Sequence, residues 1–527
     1  MWSDWHAPSI SRGSLQTIPM SNSSNYFRLA IKRFSMIFSR VKEYAFILSA
    51  FLSIWSIAQA QDNYEKWKKQ EEQKLQQWKD ERDQAFIEFL KKEWKEFQAL
   101  QGSTTFDVPK PSRLPVATPP QPTKENPTEK RVIVRDVEIP KTAPPAETVK
   151  MPTPDLKDNR ENVELSFFEA TIPISYDRAI KSKPDGPVDE EYISGFWEML
   201  SKSDYQSLLK QTQFYRDRMK LNDWGYCVLL NSIAGRIFAN AHNECNMFVW
   251  FMLAKSGYQA KVGYNGDKIS LLLPTSHKLY NLPYYILRKS QSRFYAVILD
   301  PAEKPAVESI KSYDQDYPDA MKAIEFAIGN PPDIKNIFGT KKLKFSYIGE
   351  EHVLTVQFNK SDVEFFEWYP QTDFALYFNA SPSEAAATSL LTQLKPCVQG
   401  KTETEAVNLL LRFVQTAFAY KTDQEQFGRE KPFYPDETLY YPFSDCEDRA
   451  VLFAYVTRKL LGLDVIGLNY PNHVATAVRF NSDVDGDSLV YQGKKYTVCD
   501  PTYENATCGM CMPDFRNVMP DVIQIID

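Results

Sequence analysis

The sequence predicts an α+β protein in which globular domains are joined to a linker. Its 527 residues are enough for two or three domains with buried cores, and 43% of them are apolar while 25% are charged. Patterns typical of helices alternate with patterns typical of strands. The 34 prolines are unevenly placed, which indicates a linker and not an unusual fold.

The charge of the chain makes nucleic acid an unexpected partner. The formal net charge is -6, and no block of lysine and arginine interrupts the sequence. We also find no pattern that requires a cofactor or a metal ion.

Residues 1–60 have the pattern of a secretory signal peptide. A short basic region precedes a 13-residue apolar run from Ala45 to Ile57, which ends in Ala58-Gln59-Ala60. This run is too short to span a bilayer comfortably. We therefore predict a mature chain that begins near Gln61, with Met20 or Met36 as an alternative start of translation. The expected location is outside the cytosol: periplasm, cell envelope or secreted. An uncleaved membrane anchor is the alternative.

Residues 61–101 are predicted to form one long charged helix. They contain no glycine or proline, and apolar pairs recur every eleven residues. The pairs are Tyr64 and Trp67, Leu75 and Trp78, Phe86 and Phe89, and Phe97 and Leu100. The resulting narrow apolar stripe is compatible with self-association, or with membrane or cell-envelope association through residues 45–101. A solvated helix held by ion pairs is the alternative.

Residues 102–160 form a proline-rich linker. Twelve prolines lie in the 46 positions from Pro109 to Pro154, with few large apolar residues between them. Such a segment buries too little surface to offset its ordering entropy, so we predict a semi-rigid tether.

The remaining chain shows two related halves, residues 161–310 and 385–527, around a β-rich region at 311–384. In each half two helical patterns precede strands, and the last strand ends in Asp-Pro. The sequences that correspond are "DWGYCVLLNSIAGRIFA" and "ETEAVNLLLRFVQTAFA", "FVWFMLAKSGYQAKVGY" and "FAYVTRKLLGLDVIGLN", and "FYAVILDP" and "YTVCDP". Antiparallel strands are predicted for "VELSFFEATIPISYD" and throughout "KLKFSYIGEEHVLTVQFNKSDVEFFEWYPQTDFALYFNA".

Cys446 is the candidate nucleophile. It stands where "PFSDC" leads into the apolar helix "EDRAVLFAYVTRKLL", and a helix N-terminus favours an anionic thiolate. Of the five histidines, only His473 has matching context, because it begins the strand-like run "HVATAV". The strand "KKYTVCD" ends in Asp500. If a hairpin at "NSDVDGDS" joins these two strands, Asp500 orients His473, and nucleophile, base and acid are all present.

These residues resemble the transglutaminase-like superfamily, whose members have a papain-like fold. The resemblance covers roughly residues 385–510 and rests on "SDCEDRAVLFAYVTRKLLGLDVIGLNY", "NHVATAV" and "YTVCDPTY". It matches Cys446, Gly462, His473 and Asp500 to the family pattern. It implies attack on a peptide or amide carbonyl, a thioester, and release to water or an amine.

Several points stay open at this level. Tyr440 or Tyr441 is a candidate to complete an oxyanion hole with the Cys446 amide. The expected substrate is a protein or peptide. A catalytically inactive binding or assembly module is the alternative function.

The first half is expected to be a degenerate copy without activity. Aligning Gly257 with Gly462 puts Ala241 opposite Cys446 and Lys268 opposite His473, while Asp300 keeps the place of Asp500. Cys245 reaches the nucleophile position only through a gap of four residues.

The other cysteines and one acidic loop have simpler interpretations. In an exported chain the six other cysteines are compatible with up to three disulfides: Cys227, Cys245, Cys397, Cys499, Cys508 and Cys511. Zinc is not favoured at Cys508 and Cys511, because no second pair or nearby histidine accompanies them. The "DVDGDS" segment is predicted to be a hairpin turn and not a calcium loop.

Overall fold

The computed structural model describes residues 61, 63–103, 110–111, 113–118, 130–134, 159–287, 292–300 and 306–526. The predicted signal peptide at residues 1–60 lies outside these ranges. Within them, no helix has both the length and the apolar character needed to cross a bilayer. The chain divides into two compact units, residues 1–81 and 82–527.

The described residues form a mixed α+β structure. The helices are α1 (63–90), α2 (Glu190–Lys202), α3 (Tyr205–Arg218), α4 (Asp223–Phe238), α5 (His242–Lys255), α6 (Lys360–Phe366), α7 (Phe374–Phe378), α8 (Glu384–Val398), α9 (Glu403–Ala417), α10 (Asp423–Phe427), α11 (Pro435–Tyr440) and α12 (Cys446–Leu461). The strands are β1 (Lys95–Phe97), β2 (Arg160–Phe167), β3 (Ala170–Asp177), β4 (Lys261–Asn265), β5 (Lys268–Pro274), β6 (Tyr284–Ile286), β7 (Arg293–Val297), β8 (Ile310–Ser312), β9 (Phe338–Tyr347), β10 (Glu350–Asn359), β11 (Ala419–Tyr420), β12 (Phe443–Ser444), β13 (Asp464–Tyr470), β14 (His473–Arg479), β15 (Ser488–Tyr491), β16 (Lys494–Cys499) and β17 (Asp521–Ile523).

The part of α1 in the first unit exposes its apolar stripe. Tyr64, Trp67, Leu75 and Trp78 are all about half exposed. The predicted pattern is therefore present on this part of the helix.

The predicted extension of this helix to residue 101 is wrong. The α1 helix ends at residue 90. Phe86 and Leu90, in its last two turns, are buried in the core of the second unit. Phe97 then lies in β1, where it pairs with Ile310 of β8. Pairing with a distant sheet edge thus replaces the helical pattern that local sequence favours.

The tether prediction is also wrong for the parts of the linker that are described. The Val132 amide donates to the Lys401 carbonyl at 2.7 Å, and the Ala117 amide donates to the Glu504 carbonyl at 2.7 Å. Lys110 is buried. These linker residues are packed on the C-terminal half instead of holding it at a distance.

The two halves share one order of elements. In the first, helices α3 and α4 pack on the β2–β3 hairpin, and α5 packs on the sheet ordered β1-β8-β4-β5-β7-β6. In the second, helices α8 and α9 pack on the β9–β10 hairpin, and α12 packs on the sheet ordered β15-β16-β14-β13-β17. Both sheets are antiparallel. Leaving β1 aside, the order β8-β4-β5-β7-β6 corresponds strand by strand to β17-β13-β14-β16-β15.

The region between the halves is only partly β. The expected antiparallel strands are present as β9 and β10, as they are in β2 and β3. The continuation after Asn359 is helical and not extended, which corrects the prediction of strands there. The Asn359 side chain caps α6 by accepting from the Ser361 amide at 3.3 Å, and this cap starts a helix where alternation had favoured a strand.

Candidate active site

Cys446, His473 and Asp500 lie at the same end of one helix–sheet unit. The α12 helix begins at Cys446 and stops at Gly462, which has the left-handed φ of 65° that suits a helix C-terminus. After this reversal β13 runs back along the helix. The first residue of β14 and the residue after β16 are therefore at the end where α12 begins.

His473 and Asp500 form a buried pair. The distance from His473 Nε2 to Asp500 Oδ2 is 2.8 Å, and each residue is only 2% exposed. The other carboxylate oxygen accepts from the Thr502 and Tyr503 amides at 2.9 and 3.1 Å. Asp500 is thus fixed by its own loop and holds the imidazole in one orientation.

The histidine ring lies on the face of the sheet away from α12. His473 is paired in register with Tyr470, and its ring stacks on Phe515 with centroids 5.0 Å apart. Its neighbour Val474 points the other way and belongs to the core cluster that contains α12. The alternation of side chains along β14 therefore separates the imidazole from the face that α12 covers.

The hydrogen-bond partner of Cys446 lies outside this pair. Its side chain is 1% exposed, and Sγ donates to Glu447 Oε2 at 3.1 Å. Among the described residues no hydrogen bond joins the thiol to His473. The structure therefore pairs the base and the acid of the predicted triad and does not hydrogen-bond the nucleophile to them.

The environment of Cys446 opposes a thiolate. Burial raises the pKa of the thiol well above its ordinary value, and the nearby Glu447 and Asp445 carboxylates act in the same direction, whereas Lys110 acts against them. Our expectation that the helix N-terminus favours the anion does not hold in this arrangement. Desolvation and two neighbouring carboxylates outweigh the helix dipole.

Four carboxylates surround one lysine ammonium beside Cys446, and we call this group the carboxylate cage. Its members are Asp423, Glu430, Asp445 and Glu447. Lys110 Nζ lies 2.8 Å from Asp445 and 2.9 Å from Glu430, contacts Glu447, and lies 3.8 Å from Asp423. Burial lowers the pKa of Lys110, but attraction to Asp445, Glu447, Cys446 and Asp423 outweighs this effect, so the pKa lies well above its ordinary value.

Gln415 of α9 connects the loop after β16 to the helical layer. Its amide donates to the carbonyls of Asp500, Tyr503 and Ala506 at 3.2, 2.9 and 3.1 Å. Arg449 of α12 in turn donates to the Gln415 carbonyl at 3.2 Å. This network fixes Asp500 relative to α12.

Sequence reasoning did not find Lys110 or Gln415. Gln415 had a usable signal, since a polar side chain on the buried face of an apolar helix needs partners. Lys110 had none, because nothing local distinguishes it from the other lysines of the linker.

The candidate oxyanion side chains are engaged elsewhere. Tyr441 donates its hydroxyl to Glu367, and its ring stacks on Phe433. Tyr440 is 39% exposed and packs against Phe358. The tyrosine next to Cys446 is Tyr420, which was not predicted and which donates to the Pro111 carbonyl at 2.9 Å.

Strand register shows which residues of the first half stand at the positions of His473 and Asp500. Asn265 pairs with Lys268 across a two-residue turn as Tyr470 pairs with His473, so Lys268 does occupy the histidine position.

Asp300, however, does not occupy the position of Asp500. Leu271 pairs with Val297 as Thr476 pairs with Cys499, so the next residue, Ile298, takes the place of Asp500. The sequence alignment matched the two Asp-Pro pairs, but the first half has two additional residues before its pair.

The remaining cysteines and the acidic loop have structural surroundings. No disulfide joins any two of the seven cysteines. Burial and Glu244 raise the pKa of Cys245 to about 12. The "DVDGDS" segment leads into β15, which pairs with β16, so it does not join β14 and β16 directly as predicted. Asp483 is paired with Lys495, and Asp487 accepts from the Cys511 amide.

Comparison of the chain with protein-family models, with curated proteins and with solved structures found no match. The resemblance of residues 385–510 to transglutaminase-like enzymes therefore remains a prediction from sequence.

Proposed function

We propose that residues 385–527 form a transglutaminase-like domain of papain-like fold, and that residues 161–310 are a degenerate copy of it. The matching strand order of the two sheets supports a common origin for the halves. The replacement of His473 and Asp500 by Lys268 and Ile298 supports loss of activity in the first half.

The proposed activity is cysteine-dependent hydrolysis or acyl transfer at peptide or amide bonds. The observation that carries it is the buried pair of His473 and Asp500 at the end of the sheet where Cys446 begins α12. Because Nε2 is bonded to Asp500, Nδ1 remains for proton exchange with a thiol. The proposal includes export and a protein or peptide substrate.

The reaction has two halves. The Cys446 proton passes to His473 as Sγ attacks the substrate carbonyl carbon. The carbon–nitrogen bond then breaks, and the amine leaves with the proton from His473, so that an acyl thioester remains on Cys446. Water or a second amine gives its proton to His473 and attacks the thioester carbonyl. The carbon–sulfur bond breaks, and Cys446 regains its proton.

This sequence requires a rearrangement of the site. In the arrangement described, the thiol is bonded to Glu447, and His473 faces Phe515. The thiol must leave Glu447 and reach the imidazole before the first proton can move. The arrangement thus corresponds to a resting form of the proposed enzyme.

A second candidate is an inactive binding or assembly module. It is favoured by the burial of Cys446 and by its contact with Glu447, both of which keep the thiol protonated. Under this alternative the buried polar groups have only a structural role.

The test measures covalent labelling and turnover in matched variants. With fluorescent-amine incorporation and amine release from a protein substrate as readouts, we expect no turnover by Cys446→Ala and about 10²–10⁴-fold less by His473→Ala. Asp500→Asn should retain more than either, since an amide still holds the ring.

Cys397→Ala is the matched control. Its Sγ lies 3.7 Å from His352 Nδ1, so it removes another cysteine that neighbours a histidine. Turnover that survives Cys446→Ala, or an equal loss in Cys397→Ala, contradicts the proposal. Absence of turnover both in folded wild-type protein and in folded Lys110→Ala protein, in which the linker lysine no longer contacts Glu447, favours the binding module.

A further inference from the structure

The ammonium of Lys110 occupies the carboxylate cage from a segment far away in sequence. Lys110 and Asp445 are separated by 335 positions, and the lysine side chain is 1% exposed. The segment continues over the same domain, because Pro111 accepts from Tyr420 and the Ala117 amide donates to Glu504. The linker thus places one positive charge, the Lys110 ammonium, beside the proposed nucleophile Cys446.

Among the residues that the structure describes, no other cation is positioned to replace Lys110. Lys431 lies against Glu437 and Glu367, and Arg449 donates to Ser444 and to two backbone carbonyls. Asp445 Oδ1 is buried and accepts no hydrogen bond from the described residues. Removing Lys110 therefore leaves buried carboxylates without a compensating charge, which is strongly unfavourable.

We propose that the carboxylate cage is a subsite for a primary ammonium side chain beside Cys446. Lys110 of the same chain occupies this subsite and blocks access of reactants to the Cys446 thiol. The ligand class is a lysine side chain or another alkylammonium. This inference deepens the proposed function, on which its catalytic meaning rests.

The geometry fits an ammonium group. Three carboxylates, from Glu430, Asp445 and Glu447, converge on one nitrogen, and an ammonium presents three donors from a compact centre. The aliphatic stem is buried together with the ammonium, since the whole Lys110 side chain is only 1% exposed. A divalent cation is the competing ligand, because oxygens of Asp423, Glu430 and Glu447 lie within 4.8 Å of one another.

The first experiment measures the rate of Cys446 alkylation by iodoacetamide, with the modified residue identified by mass spectrometry. We expect Lys110→Ala to raise this rate at least about tenfold, equivalent to about 1.4 kcal/mol less for opening the site. Lys130→Ala, at an exposed lysine of the same linker, is the matched control and should leave the rate unchanged.

An internal control separates local opening from unfolding. Cys227 is fully buried in α4 of the first half, so its alkylation reports loss of the fold. If Cys227 is labelled as fast as Cys446 in Lys110→Ala, the double variant Lys110→Met with Asp445→Asn is used. It removes the lysine together with a carboxylate 2.8 Å from it and leaves Glu447, the partner of the thiol, in place. An unchanged Cys446 rate in this folded double variant overturns the proposal.

The second experiment identifies the ligand. A synthetic peptide with the sequence of residues 106–118 is added to Lys110→Ala protein and should restore protection of Cys446. The same peptide with alanine at the position of Lys110 should not. Equal protection by both peptides, or protection by Mg²⁺ or Ca²⁺ but not by the lysine peptide, overturns the ammonium assignment.

These readouts do not depend on turnover. If alkylation rises in Lys110→Ala while no amide bond is cleaved or transferred, the subsite stands and the proposed enzymatic function fails. If wild-type protein has high turnover while Lys110 still occupies the carboxylate cage, Lys110 does not block the thiol. That part of the inference is then wrong, and the proposed enzymatic function stands.

Discussion

Replacing Glu447 with glutamine removes a carboxyl group whose pKa is raised from 4.5 to about 8, chiefly by burial and next by the Asp445 carboxylate. The folded chain therefore keeps this proton between about pH 4.5 and 8, while the unfolded chain releases it. The contribution of Glu447 to the free energy of unfolding is largest below pH 4.5 and is lost as the pH rises toward 8.

The size of this change in the free energy of unfolding follows from the difference between the two pKa values of Glu447, 4.5 and about 8. A difference of about 3.5 pH units corresponds to at most about 5 kcal/mol. Because Asp445 and Lys110 are coupled to the same proton, we expect about 2 kcal/mol to be specific to Glu447. Glu447→Gln has no proton to release, so its stability relative to wild type should rise by this amount between pH 5 and 8.

Urea unfolding followed by circular dichroism at pH 5, 6, 7 and 8 measures this change. Glu351→Gln, at an exposed carboxyl group of β10, is the matched control and should parallel wild type. If the stability of Glu447→Gln changes with pH as that of wild type does, the pKa of Glu447 is not raised in the fold, and the reasoning from its burial is refuted.

Three further outcomes are expected. Asp83→Ala should lower the free energy of unfolding by about 3–5 kcal/mol in thermal melts, because it removes the carboxylate that pairs with the buried Lys255 ammonium. A thermal melt like that of the control Asp80→Ala, at an exposed position, would contradict this. Gln415→Leu should cost about 2–3 kcal/mol in urea unfolding through loss of three hydrogen bonds, and unchanged stability would dismiss the network. Cys245→Ala should leave turnover unchanged, and a loss in folded protein would show that the first half contributes to the site.

The sequence was sufficient where local pattern decides structure. The apolar periodicity and the glycine that ends the helix placed α12 close to its observed bounds, Cys446–Leu461. The alternation in "HVATAV" placed His473 at the start of β14, and the pairing of β14 with β16 brought Asp500 to it. The helix and strand bounds depend on residues within a few positions of one another, and the pairing of His473 with Asp500 spans only 27 positions.

Register and long-range pairing were not accessible in this way. The two extra residues before Asp300 give no local signal, and only cross-strand pairing shows that Ile298 occupies the place of Asp500. Phe97 belongs to a helical pattern by spacing, yet a partner strand more than two hundred residues later makes it extended.

The charge state of the site was decided by tertiary structure alone. The sequence itself determined that Cys446 begins a helix and that acidic residues flank it. Whether that thiol is exposed or buried, and whether a cation lies beside it, depends on Lys110, which comes from a distant linker. Desolvation and Coulomb interactions are set by every group packed around an atom, whatever its position in the chain, and local sequence records only a few of those groups.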